Sequence, residues 1–121
     1  MTTTAQKPVY KRGDVILVIF PDSNLRTGKP RPALIVQADQ LQTGLEQLIV
    51  AMITSRMFRA NHASRVSVLL STPEGRQSGL LTNSVVMTDN LATIAHTEID
   101  RVIGSFPMGK VEAALRQTLD L

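Results

Sequence analysis

Short apolar runs rich in β-branched residues, each cut off by a cluster of turn formers, constrain this chain more than any other feature. Gly13 to Phe20 (GDVILVIF) is apolar at every position after Asp14, the pattern of a strand buried on both faces. Pro21 to Pro30 (PDSNLRTGKP) then packs turn formers and the cations Arg26 and Lys29 into one stretch, longer than a tight hairpin and typical of a functional loop. Pro32 to Ala38 (PALIVQA) reads as a second strand. A residue before proline avoids the helical region, so Arg31 is held extended at the entrance to that strand.

The pattern repeats downstream. Asp39 to Gly44 reads as a turn, and Gln47 to Ile53 (QLIVAMI) as a third strand that ends at Thr54-Ser55-Arg56. Met57 to Ala63 is irregular and basic, Arg65 to Leu70 (RVSVLL) alternates as a fourth strand, and Ser71 to Gly79 is a turn-rich loop. Val85 to Ile94 and Arg101 to Phe106 supply two more strands, with residues 95–100 as a helical turn between them. After Pro107 and Gly109, Lys110 to Leu121 carries Val111, Ala114, Leu115 and Leu119 on one helical stripe. Short strands, turn-rich loops and one terminal helix predict a mainly β fold, a small and strongly bent β-barrel with a C-terminal helix. At 121 residues the chain is expected to be a single domain over 1–121, with residues 1–10 flexible.

Composition excludes several classes. Without cysteine there is no disulfide, thiolate nucleophile or zinc-thiolate site, and His62 and His96 are the only imidazoles, so no metal or cofactor is expected. Aromatic residues make up 3%, with no Trp and one Tyr, too few for a surface built on base stacking. No run approaches the roughly 18 apolar residues of a membrane span. Met1 to Gln6 lacks a charged start and an apolar stretch, so no membrane association and a cytoplasmic location are expected.

The net charge of +3 is unevenly spread. Residues 26–76 hold Arg26, Lys29, Arg31, Arg56, Arg59, Arg65 and Arg76 against Asp39, Glu46 and Glu74, a local net of +4. Arginine is the better phosphate clamp, because its planar fork offers paired donors at fixed geometry. Charge alone fits a solvated face equally well.

Four segments in order resemble the MazF/PemK toxin family. They are Lys11-Arg12-Gly13-Asp14-Val15-Ile16-Leu17-Val18, then Gly28-Lys29-Pro30-Arg31-Pro32-Ala33-Leu34-Ile35-Val36, then Ala51-Met52-Ile53-Thr54-Ser55, and finally Ser84 to Ile94 with Arg101 to Ser105. The resemblance implies an SH3-like barrel of the CcdB/MazF/PemK kind that forms a homodimer. It also implies metal-independent cleavage of single-stranded RNA and control by a cognate acidic antitoxin. RNA carries its own nucleophile, the 2′-hydroxyl, so such an enzyme need only align it, manage its proton and stabilise charge on phosphorus.

The resemblance marks Arg31 and Thr54 as catalytic candidates, and Asp89 as a candidate base. Arg26, Lys29, Ser55, Arg56, Arg59 and His62 are candidates for RNA binding, being basic or polar groups in the same segment. The chain departs from some relatives, which carry a loop histidine where it has Ser23 to Gly28, and arginines where it has Met87 and Ala92; the acid and the base therefore stay open. Two other readings remain beside the ribonuclease. One is a gyrase inhibitor like CcdB, which depends on an aromatic C-terminal tail where this chain ends Gln117-Thr118-Leu119-Asp120-Leu121. The other is a passive RNA-binding barrel.

Overall fold

The computed structural model describes residues 9–19 and 29–121. Arg26 and most of the 1–10 segment expected to be flexible lie outside the described residues. Six strands appear in chain order: β1 Asp14–Val18, β2 Arg31–Ile35, β3 Gln47–Thr54, β4 Arg65–Val68, β5 Ser84–Ala95 and β6 Ile99–Ser105. A short helix α1, Pro73–Gln77, separates β4 from β5, and α2, Gly109–Leu119, closes the chain. All strand pairs are antiparallel, in the spatial order β4-β5-β3-β2-β1-β6. The expected mainly β architecture with a C-terminal helix is therefore present. Among the described residues the sheet stays open, with no ladder joining β4 to β6.

Both faces of the sheet are apolar because its strands are. Successive residues point to opposite faces, so Val15, Leu34, Val36, Ala51 and Ile53 pack with Phe106, Val111 and Ala114 on one side. Ile16, Val18, Ala33, Ile35, Val50 and Ile94 form a second buried cluster on the other. Helix α2 covers the first face through Val111 and Ala114. Leu119, expected on the same stripe, lies in its last turn and is 49% exposed, beside a left-handed Asp120.

The sheet bends where β5 is irregular. Ala51 and Met52 are consecutive on β3, yet they pair with Leu91 and Met87, so Thr88, Asp89 and Asn90 have no β3 partners. Extra residues in one strand sharpen its bend. The bend is anchored by buried Thr88, whose hydroxyl donates to the Ser64 carbonyl at 2.6 Å and lies 2.7 Å from the Thr118 hydroxyl of α2.

The stretch expected as a turn-rich loop, Ser71 to Gly79, instead contains α1. Thr72 caps it by accepting the Gly75 N–H at 3.1 Å, and Pro73 occupies its first turn, where proline's missing N–H costs nothing. The segment after it lies against β6. Gly79 has φ of +73°, and a Cβ there would overlap the Ile103 carbonyl, while one on Gly104 would overlap the backbone of Gln77 and Ser78. Gln77 Nε2 donates to Ser105 Oγ at 2.7 Å. Backbone packing from α1 thus bridges the side of the sheet that strand pairing leaves open.

Candidate functional site

Three strand ends and the segment after α1 meet around a cavity of about 600 Å³. β2 contributes Arg31 at its first residue, preceded by Lys29 and Pro30, and β3 contributes Thr54 at its last, followed by Ser55 and Arg56. Leu80, Leu81, Thr82 and Ser84 form a third wall, and β6 adds Arg101 and Ile103. Leu17, Ile53 and Ile103 make an apolar floor beneath this polar rim.

The electrostatics of the lining are one-sided. Lys29, Arg31, Arg56 and Arg101 all line the cavity, and among the described residues no carboxylate does. Among the described residues, the side chains of Lys29, Arg31 and Arg56 have no hydrogen-bond or ion-pair partner. Two arginines outside the cavity are engaged by contrast. Arg12 bonds the Val36 carbonyl and pairs with Glu112, and Arg65 bonds the Arg59 carbonyl and pairs with Asp89. An arrangement of unpaired cations over an apolar floor suits an anionic ligand that also carries a flat, weakly polar group.

Thr54 adds a donor. Its Oγ1 accepts the backbone N–H of Arg56 at 3.2 Å, so its own proton remains available to a ligand oxygen. The Pro30-Arg31-Pro32 triplet leaves Arg31 little backbone freedom, which fixes its main chain at the rim of the cavity that Thr54 also lines.

The other marked residues lie elsewhere. Asp89 sits in the irregular part of β5, four residues beyond Val85, the partner of Thr54, and does not line the cavity. Its Oδ2 is 2.8 Å from Arg65 Nη2, and its Oδ1 is 3.4 Å from Arg65 Nε. That hydrogen bonding holds its carboxyl below the ordinary carboxylate range, the charges of Arg65 and His62 acting the same way against the opposing effect of burial. His62 Nδ1 accepts from the Ser64 N–H at 3.1 Å and lies 2.6 Å from Ser64 Oγ. Arg59 lies over the Phe58 ring, 5.7 Å from its centroid. Of the described candidates, the structure thus brings Lys29, Arg31, Thr54, Ser55 and Arg56 together and sets Asp89, Arg59 and His62 apart. Sequence reasoning missed Arg101 and Thr82, because only the placement of β6 beside β1 and of Gly79 against β6 carries them to the cavity.

A bent antiparallel sheet with a terminal helix and a cation-lined cavity at its strand ends defines a small, mainly β protein with a basic cleft. Residues 11–119 match the family described as the PemK-like, MazF-like toxin of type II toxin-antitoxin systems. The chain belongs to that family. It is similar in structure to an endoribonuclease solved in complex with its cognate antitoxin from a mycobacterial species, at 23% identity and a TM-score of 0.68, covering 93% of this chain and 96% of that one. Toxin MazF-mt6 of Mycobacterium tuberculosis matches at 25% identity and a TM-score of 0.68, over 89% of this chain and 97% of the other. The MazE-MazF structure of Deinococcus radiodurans matches at 17% identity and a TM-score of 0.70, over 95% and 99%. A comparison with curated proteins returns no match. No described helix is long and apolar enough to cross a membrane.

Proposed function

We propose that this toxin-family chain is a metal-independent endoribonuclease that cuts single-stranded RNA, acting as a cytoplasmic homodimer and restrained by an acidic antitoxin. The observation that carries the reading is the cavity itself, where Lys29, Arg31 and Arg56 have no counter-charge among the described residues and stand beside a Thr54 hydroxyl whose proton is available. A phosphodiester is the anion that fits, and RNA brings the nucleophile that the cavity does not supply.

In this reading the 2′-oxygen attacks phosphorus and loses its proton, and the bond from phosphorus to the 5′-oxygen breaks as that oxygen gains one. The products are a 2′,3′-cyclic phosphate and a 5′-hydroxyl. Arg31 stabilises the charge that builds on the non-bridging oxygens, and Thr54 donates its hydrogen bond to one of them. Lys29, Ser55 and Arg56 hold the flanking strand. Asp89, engaged by Arg65, is given the structural role of bracing the β5 bend. The related mycobacterial endoribonuclease was solved with its antitoxin; a flexible acidic segment from such a partner would be drawn to the same cations as RNA.

The test is incubation of purified protein with single-stranded RNA in EDTA, with mapping of the cut ends. Cleavage leaving 5′-hydroxyl ends supports the reading. Binding without cleavage would make the chain a passive RNA-binding protein.

A further inference from the structure

Arg101 opens onto the same cavity as Arg31 from the opposite flank of β1. Leu17 pairs with Pro32 of β2 on one side and with Arg101 of β6 on the other. The backbones of those two flanking strands are two strand spacings apart, roughly 10 Å. Arg31 and Arg101 thus reach the one cavity from the strands that flank β1.

The surroundings of Arg101 leave it available. Its only partner among the described residues is Asp100, its chain neighbour, whose Oδ2 accepts from Nη1 at 2.7 Å. The Arg101 side chain is 67% exposed, and its Nε and Nη2 make no hydrogen bond to a described residue. An exposed pair between adjacent residues contributes little and yields readily to a stronger anion.

We propose that Arg101 binds the phosphate next to the scissile one, so that the cavity holds two successive phosphates of a single RNA strand. Arg31 takes one and Arg101 the other, and the intervening nucleoside lies over Leu17, Ile53 and Ile103. This rests on the ribonuclease reading above. It makes Arg101 a binding residue and not a catalytic one, since it contacts a phosphate at which no bond changes.

The experiment uses the full chain and the RNA oligonucleotide spanning a mapped cut, with a 2′-methoxy group there to prevent cleavage. Binding is measured over a range of salt for wild type, Arg101→Gln, Arg101→Lys and the control Arg76→Gln, whose residue does not line the cavity. Arg101→Gln should weaken binding roughly three- to tenfold and lower the slope of log affinity against log salt by about 0.7. Arg101→Lys should recover most of the slope. With cleavable RNA, Arg101→Gln should raise KM and leave kcat unchanged. If Arg101→Gln matches Arg76→Gln in affinity and slope, or lowers kcat at unchanged affinity, the proposal is overturned while the ribonuclease reading stands. If the wild type neither binds nor cuts any RNA, both fall together.

Discussion

The Thr54 hydroxyl accepts the backbone N–H of Arg56, 3.2 Å away, and so keeps its own proton for a different acceptor. Thr54→Ala removes the donor and should lower kcat by about 10²–10³, the usual loss for one transition-state donor. Thr54→Ser keeps the hydroxyl and should retain most activity. Arg31→Ala should lose at least as much as Thr54→Ala. Because both residues end strands outside the apolar clusters, their melting temperatures should stay close to wild type. Single-turnover cleavage and thermal melts check this, and full activity in both alanine variants would remove the site from this cavity.

Cleavage should persist in chelator, since the described residues of the cavity lining offer a metal ion no carboxylate or imidazole. RNA carrying a 2′-methoxy group at the cut, or DNA, should be inert. Gel assays with mapped ends read both outcomes, and dependence on added magnesium would count against the mechanism.

Asp89→Asn separates a structural role from a catalytic one. Its folded-state pKa is lowered, chiefly by the Arg65 hydrogen bond. The pair therefore stabilises the fold above the unfolded carboxylate value, near 3.9, and that stability is lost as pH falls through the lower folded value. With side chains 24% and 33% exposed, the loss in Asp89→Asn at neutral pH should be no more than about 1 kcal/mol, shrinking toward zero in acid. Urea melts across that range test it. RNA cleavage at neutral pH should stay within a few-fold of wild type, and a loss of orders of magnitude would restore Asp89 as the base.

Gly79→Ala should be costly. It places a Cβ at φ of +73° and against the Ile103 carbonyl, which together are worth about 1–3 kcal/mol or more. Because Leu80, Leu81 and Thr82 follow directly and wall the cavity, a variant that still folds should bind RNA more weakly. Denaturant melts with RNA titration would detect both effects.

Arg56→Glu should weaken RNA and antitoxin binding together, and more so at low salt, since both draw on screened charge attraction. Competition between labelled RNA and the antitoxin's acidic segment tests this. A ternary complex in which neither displaces the other would refute a shared cavity.

Much of the fold was legible in one dimension. The apolar runs at Val15 to Val18, Ala33 to Val36 and Val50 to Ile53 carry strand residues because β-branched side chains suit a pleated, buried surface, and Val111 and Ala114 keep the helical period. Arg31 and Thr54 could be marked only through the toxin-family motifs that contain them, which border such runs. Helix α1 was missed, although Thr72-Pro73 is a capping pair, because a five-residue helix hides among turn formers. Asp89 could not be placed because the bend at Thr88 to Asn90 depends on which β3 residue β5 faces, a pairing across the sheet that no local pattern encodes. Arg101 joins Arg31 only because β1 is flanked by β2 and β6. Local propensity and periodicity thus determined the elements and their apolar faces, whereas the cavity came from long-range register, which is set by the packing of the whole sheet and not by any segment of it.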